Sequence, residues 1–492
     1  MVFLFNINRS IASALLLLFY TSSKSIAAEE TTLIDPYITN DFGDTWVVTS
    51  KKENDKDMSR LPSTLGLHTA TSISIDGDTK IFIMGGCAGR LNYVDLSVIG
   101  GVAVRWPWLC TEVSDAFYVY DPKNDSYRTL APMHGGRYGH TAVEVDGKIW
   151  VAGGRRKDAS NTGDSHDTII KFVDVYDIEK NTWLTLSGFD AATANGASFS
   201  LRGDHFYYAG GFDDEYKATE KMYLIDCGLS LVGNTVSYTE AASMNTPRGF
   251  FSAVVINHAA VVSGGAYDSH YCTTTKSAEY YNPYAVDRKG NPIDKRFENF
   301  EDIQDVQEDI WQPLNNLENS GGSAAMSVIN DQVLTFGGVR NDDCKKDFDA
   351  MTNVNGLDWL DYNKKIAWYE HGVIPEERSS YTAASVPELN SVFIMGGMSY
   401  YDESCHCMET MGRVTKYYLL DPALLNFQTI PQYTEAAVGS MIFAGFSFVV
   451  LLVMAAVYKF GSKNTGDVEP ASFMPTVETS NKGEPEELAT IL

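Results

Sequence analysis

Positive charge is what this chain has least of. Its 38 lysines and arginines face 64 aspartates and glutamates, a net charge of −26. Nucleic acid demands a basic surface, so the balance argues against that partner. Catalytic signatures are missing as well: there is no nucleophile elbow, phosphate-cradling loop, His-Glu-x-x-His motif or dinucleotide fingerprint. Histidines number only nine, at no spacing that picks out a metal site. Carboxylates crowd residues Glu298 to Asp309 without the ligand spacing of an EF-hand, so that stretch reads as a solvated loop. Nothing here calls for a cofactor or a metal ion.

Repetition is what the chain has in abundance. An apolar strand runs into a diglycine at Gly85-Gly86, Gly153-Gly154, Gly210-Gly211, Gly264-Gly265, Gly337-Gly338 and Gly396-Gly397. Each pair is preceded by a hairpin pattern: an apolar strand, a turn such as Asp76-Gly77 or Asp146-Gly147, then a more apolar strand. Continuous apolar runs such as Ile81-Phe82-Ile83-Met84 suit strands buried on both faces. A third strand follows around an aromatic, as in Tyr118-Val119-Tyr120-Asp121-Pro122 or Val175-Tyr176-Asp177, and a fourth around Tyr127, Trp183, Trp311, Trp368 or Phe427. The expectation is a four-stranded sheet whose outer aromatic packs over the side-chain-free glycines. A unit of this length built from strands predicts an all-β propeller.

Hairpin, diglycine, Tyr-Asp-Pro-like strand and closing Trp or Tyr together resemble the kelch repeat, most fully from Arg137 to Gly154 with Tyr176-Asp177 and Trp183. The resemblance spans about residues 60–430 and implies a six-bladed kelch-type β-propeller. Either Asp44-Thr45-Trp46-Val47-Val48 or Asn426-Phe427-Gln428-Thr429 supplies the strand that closes the last blade. Kelch propellers serve many ends, so the fold nominates no single activity.

The two ends of the chain predict a membrane setting. Arg9, the apolar Ile11 to Tyr20 and the small residues Ser25-Ile26-Ala27-Ala28 read as a signal peptide over 1–28. The uncharged run Ala436 to Tyr458 is long enough to span a bilayer, placing a single transmembrane helix at 435–458. Lys459 and Lys463 beyond it favour the cytoplasm. The expected organisation is an extracellular or lumenal propeller over 29–434 and a cytoplasmic tail over 459–492, a type I single-pass protein of the plasma membrane.

Cysteines agree with an oxidising compartment. Cys87 and Cys110 share one loop, while Cys344, Cys405 and Cys407 occupy equivalent loops on one face, where bridges between neighbouring blades are plausible. Cys405-His406-Cys407 with Asp402 is a thin donor set for a metal. Asn124 in Asn124-Asp125-Ser126 is the glycosylation acceptor of the propeller. Arg155-Arg156-Lys157 reads as the start of a mobile surface excursion, and Arg202-Gly203-Asp204 as a hairpin turn that happens to spell an adhesion tripeptide.

One recurrent feature points to ligand binding. Arg60, Arg137, Arg248 and Arg378 precede first strands, with Tyr138, Phe250 and Tyr381 close behind. Guanidiniums converging on an axial funnel would take a carboxylate, sulfate or sugar acid; alternatively, each pairs with a nearby carboxylate and fixes its blade. The functional expectation is a cell-surface recognition protein that presents its propeller to a protein or carbohydrate partner, while the tail meets a cytoplasmic one. The rival expectation is a membrane-anchored, oxidase- or epimerase-like enzyme acting on a sugar at the axis.

Overall fold

The computed structural model describes the strands Tyr37–Thr39 and Thr45–Val47 and most of residues 60–418. Within that span, 94–107, 158–166, 269–272, 285–309, 319–320, 341–348, 360–367, 375–376 and 400 lie outside the described residues. The predicted signal peptide, transmembrane run and tail, the Glu298–Asp309 loop, Cys344 and Asn426–Thr429 also lie outside them. No helix among the described residues is long and apolar enough to cross a membrane.

Antiparallel sheets make up the described chain. The first contains Thr69–Ile75, Asp78–Met84, Phe117–Asp121 and Ser126–Thr129; the second Thr141–Val145, Lys148–Ala152, Phe172–Asp177 and Thr182–Ser187. The third is built from Ala197–Arg202, His205–Ala209, Met222–Asp226 and Ser237–Ala241, and the fourth from Ser252–Ile256, Ala259–Ser263, Ala278–Tyr281 and Trp311–Leu314. Ala325–Ile329, Gln332–Arg340, Asp349–Asp358 and Trp368–Val373 form the fifth. The sixth joins Thr382–Val386, Ser391–Met395 and Val414–Tyr418 to the two N-terminal strands. The leading strands of these sheets touch in a closed circuit, each against its neighbours and the sixth against the first. Sheets radiating from a shared axis make a β-propeller.

Thr45–Val47 settles which segment completes the last sheet: Trp46 pairs with Tyr417 and Val47 with Lys416. The chain therefore closes its ring with N-terminal sequence.

Local chemistry explains the hairpins. Asp76 and Gly77, at φ 53° and 83°, and Asp146 and Gly147, at 49° and 68°, give the doubly positive turn whose twist matches antiparallel strands. The second strands are the most deeply buried, with every residue of Ala259–Ser263 and Ser391–Met395 inside. One element was not legible beforehand: a short helix, Cys227–Gly233, sits between the last two strands of the third sheet, capped by the Asp226 carboxylate accepting from the Leu229 N–H (2.7 Å).

Both residues of every diglycine have positive φ. The second glycine stitches its sheet to the next, its N–H donating to the carbonyl of Arg137 from Gly86 (2.8 Å), Thr193 from Gly154 (3.0 Å), Arg248 from Gly211 (2.8 Å) and Leu65 from Gly397 (2.7 Å). The packing differs from the expected contact with the outer aromatic. The space over the first glycine is taken by side chains of the neighbouring sheet: His140 over Gly85, Tyr208 over Gly153, Phe251 over Gly210, Tyr381 over Gly337 and His68 over Gly396. The fourth-strand aromatics pack instead on third-strand tyrosines, Trp183 on Tyr176 (5.0 Å between centroids) and Trp311 on Tyr281 (5.2 Å). Their indole N–H groups donate to Ala131 (2.8 Å) and Ala242 (3.0 Å) in the segments that lead into those sheets. An outer ring cannot reach a glycine at the far end of the adjoining strand; an inner ring of the next sheet can.

Candidate functional site

A collar of six residues surrounds the axis. The Leu67 N–H donates to Ser380 (3.0 Å), Ser380 to Ser323 (3.4 Å), Ser323 to Phe250 (2.6 Å), Phe250 to Asn195 (2.8 Å), Asn195 to Gly139 (2.7 Å) and Gly139 back to Leu67 (2.9 Å). All six lie at positive φ, between 53° and 63°. Five are not glycine, and each such residue costs roughly 1–2 kcal/mol in that conformation. The closed backbone hydrogen-bond ring offsets that cost and fixes the aperture without help from any particular side chain.

On one side of the collar the axis is plugged. The residues that follow the diglycines are Cys87, Arg155, Phe212, Ala266, Val339 and Met398, all buried. Each bridges to the residue before a collar position, as Cys87 does to Gly66, Phe212 to Ala194 and Met398 to Ser379. Five of them join Leu67, Phe250, Trp108 and Tyr138 in one apolar cluster. The sixth, Arg155, donates to the carbonyls of Asp167 (3.0 Å) and Asp213 (3.2 Å) with its guanidinium over the Tyr216 ring (4.7 Å). Arg155–Lys157 is thus no mobile excursion: it pairs as a strand with Asp167–Ile169.

On the other side lies a cavity of about 220 Å³, walled by the starts of the leading strands. Its lining carries hydroxyls (Thr69, Thr141, Ser198, Ser252, Thr382), small apolar groups and two imidazoles, with no charged side chain among the described residues. The wall is self-bonded: His140 Nε2 with Thr69 Oγ1 (3.0 Å), His68 Nε2 with Thr382 Oγ1 (3.1 Å), and Ser198 with Thr141. Burial, helped by the nearby Arg378 charge, holds the His68 imidazole at about 3, and burial with Arg137 keeps His140 well below its ordinary value. Both rings are neutral at physiological pH, and burial likewise raises the Tyr381 phenol. The cup therefore offers neutral hydrogen-bonding groups and no group poised to exchange a proton near pH 7.

The arginines singled out by sequence do not converge on this cavity. Arg137, Arg248 and Arg378 are each 0% exposed and turn into their own sheets. Arg137 pairs with Asp174 and Arg248 with Glu279 (2.7 Å), while Arg378 donates to Thr415 Oγ1 (2.7 Å). Each also reaches the carbonyl of its own first glycine: Gly153 (3.3 Å), Gly264 (2.6 Å) and Gly396 (3.1 Å). Arg60 is exposed and off register, since Leu65 holds the position equivalent to Arg137. Tyr138 is buried in the plug, donating to Asp167 (2.7 Å). Phe250 and Tyr381 alone of the set line the cavity. The arginines are blade latches, each spent on one sheet.

Sequence reasoning passed over the wall itself. Its signal was visible as hydroxyl-alanine pairs in His68-Thr69-Ala70, His140-Thr141-Ala142, Ser252-Ala253 and Thr382-Ala383, at the start of four of the six leading strands.

Beyond the plug, the loops after the diglycines carry further structure. Cys407–Glu409 from the sixth repeat pairs with Arg90–Tyr93 from the first, which pairs with Trp108–Cys110, a three-stranded platform spanning two sheets. Cys110, in the platform's own strand, is bridged to Cys87, and Cys405 is bridged to Cys407 rather than to a cysteine of a neighbouring blade. Two thiols one residue apart can reach each other because His406 adopts a left-handed turn (φ 49°). Trp108 meets Tyr401 edge to face (6.4 Å) under the platform, and Arg90 pairs with Glu409 (2.9 Å) on its surface. No group of three metal-ligating side chains occurs among the described residues. Asn124 is exposed in its turn, Nδ2 donating to Asp121 (2.9 Å).

Comparison with known proteins agrees with this geometry. The Kelch motif model matches residues 136–189. Kelch-like protein 41a of Danio rerio is 25% identical over 185 residues, covering 38% of this chain and 28% of that protein. Kelch-like protein 25 of Homo sapiens is 29% identical over 98 residues, 20% of this chain and 17% of that one. Kelch domain-containing protein 3 of Rattus norvegicus is 25% identical over 204 residues, 38% and 46% of the two chains. The chain thus spans less than half the length of each of these relatives. Among solved structures, that titled "Structure of YjhT" aligns with a TM-score of 0.51 and 16% identity, covering 74% of this chain and 97% of that one. That likeness speaks for the propeller fold alone.

Proposed function

We propose, from the premise that this chain is a kelch-repeat β-propeller, that it is a recognition protein: a six-bladed disc, held outside the cell by the span at 435–458, that grips a protein partner with its loop face. The observation that carries the reading is the platform. Loops free of function need no order, yet here Arg90–Tyr93, Trp108–Cys110 and Cys407–Glu409 are paired into a sheet, stapled by Cys87–Cys110 and anchored on Trp108 and Tyr401. A rigid surface loses little entropy when a partner docks. Its exposed groups (Arg90, Glu112, Glu403 and Glu409) supply a mixed-charge rim.

The axial cavity speaks for binding over catalysis at the axis. A sugar-active site of the oxidase or epimerase kind needs groups that carry protons or ligate a metal. Among the described residues the wall offers two imidazoles, each bonded to a threonine through Nε2, and no carboxylate.

Two measurements test the proposal. Tags at residue 29 and at the C-terminus should stain intact and permeabilised cells respectively; the reverse pattern refutes the orientation. Partner recovery by surface crosslinking should fall at least tenfold when Glu112, Glu403 and Glu409 are all changed to lysine. Lys180→Glu, in an exposed turn on the opposite face, should leave it unchanged. Equal loss from both changes refutes the loop face as the binding surface.

A further inference from the structure

We infer that Cys405–Cys407 is a redox-active disulfide that exchanges with thiols of its surroundings, in contrast to the structural bridge Cys87–Cys110 beside it. The two bonds differ in three respects. The first is access: Cys405 is exposed, whereas Cys87 and Cys110 are 0% and 1% exposed. The second is ring size. Cys87–Cys110 closes 23 residues of chain and Cys405–Cys407 only 2, so the outer bond removes far less freedom from the unfolded chain and contributes correspondingly little to holding the fold.

The third is preorganisation. The turn carrying the outer pair is tied by bonds that contain no sulfur: the Asp402 N–H donates to Cys407 (2.9 Å) and the Cys407 N–H to Asp402 (3.2 Å). The Ser404 N–H donates to Asp402 Oδ1 (2.8 Å), and the Tyr401 hydroxyl is hydrogen-bonded to His406 Nδ1 (3.0 Å). Opening the disulfide leaves this frame standing, with both sulfurs held within reach of one another, so the pair can be reduced and re-formed repeatedly. Exposed bridges are the labile ones, and buried structural ones resist reduction.

The step balances without any further oxidant or reductant. An external thiolate attacks the exposed Cys405 sulfur, the Cys405–Cys407 bond breaks, and Cys407 leaves as a thiolate that takes up a proton. A second thiol then attacks the external sulfur of the mixed disulfide and releases Cys405. Two external thiols become one disulfide, and the chain gains a dithiol. Because Cys407 opens the strand paired with Arg90–Asn92, and Leu91 pairs with Cys110, the redox state is set within the platform itself.

The test uses full-length protein purified without reductant, equilibrated with graded dithiothreitol, quenched with an alkylating agent and mapped by peptide mass spectrometry. Cys405 and Cys407 should become labelled at a dithiothreitol concentration at least ~10-fold lower than Cys87 and Cys110. Removing the reductant under oxidised glutathione should restore the outer bond. Reduction of both bridges together, greater resistance of the outer one, or its absence from untreated protein overturns the inference. As a second readout, Cys407→Ser treated with oxidised glutathione should carry one glutathione on Cys405, and Cys405→Ser should carry none on Cys407. An adduct on Cys407 alone, or on neither, overturns the assignment of Cys405 as the attacked sulfur.

Discussion

Replacing His68 and His140 by glutamine should flatten the response of this propeller to mild acid. Burial, with Arg378 nearby, lowers His68 in the folded chain from 6.5 to about 3, and His140 is lowered in the same direction by burial and Arg137. The unfolded chain takes up protons on both rings once the pH drops below about 6.5, and the folded chain does not. Stability contributed by these residues is therefore complete above that pH and drains away as the pH falls toward 3. A pH of 5.5 lies one unit below the unfolded value, a loss of roughly 1 kcal/mol for His68, and His140 adds to it in the same direction. Glutamine can still bond the Thr69 and Thr382 hydroxyls, so the double variant keeps the wall and loses only the titration. Urea unfolding at pH 7.5 and 5.5 measures this directly. The parent should lose at least about 1 kcal/mol more than the variant between the two conditions, and carboxylates common to both proteins cancel. Equal losses, or a parent that gains stability in acid, would refute the reasoning.

The remaining expectations concern the latches, the glycines and the closing strand. Glu279→Gln or Asp174→Ala leaves a fully buried guanidinium without its counter-charge and should cost about 3–5 kcal/mol by denaturant unfolding; a change under 1 kcal/mol would show the pair to be dispensable. Gly153→Ala forces a Cβ to within 2.4 Å of the Thr193 carbonyl oxygen at φ +64° and should cost roughly 3 kcal/mol. Gly147→Ala, with nothing within 4 Å, should cost only about 1 kcal/mol, and matched losses would contradict the packing account. Deleting residues 29–59 removes the strand paired with Val414–Tyr418 and should lower stability by about 2–4 kcal/mol; unaltered melting would show that ring closure does not depend on it.

The repeat was readable because a diglycine after an apolar strand is a chemical requirement: Gly85, Gly86, Gly153 and Gly154 combine positive φ with a neighbouring carbonyl oxygen under 3 Å from where a Cβ would stand, and only glycine meets both conditions. The collar was unreadable for the opposite reason. Leu67, Gly139, Asn195, Phe250, Ser323 and Ser380 share a backbone conformation and no side-chain type, so nothing in the letters marks them. The arginines were visible, but their direction was not. Their partners Asp174, Glu279 and Thr415 stand opposite Val151, Val262 and Ile394, each two residues before a diglycine, and that register appears only once the third strand is paired. His68 and His140 looked like ordinary strand residues because what matters about them, the absence of a side chain on Gly396 and Gly85, lies on other sheets.

The seam between Thr45–Val47 and Val414–Tyr418 has a mechanical consequence. Its three rungs, Thr45 with Tyr418, Trp46 with Tyr417 and Val47 with Lys416, run antiparallel, so the start of one strand, Thr45, and the end of the other, Tyr418, stand at the same edge of the seam. Traction applied between those ends opens the rungs one after another, like a zip, instead of loading all of them at once. Under tension the circle would part there first, at a force set by a single rung, and the other sheets would stay folded until the seam had gone.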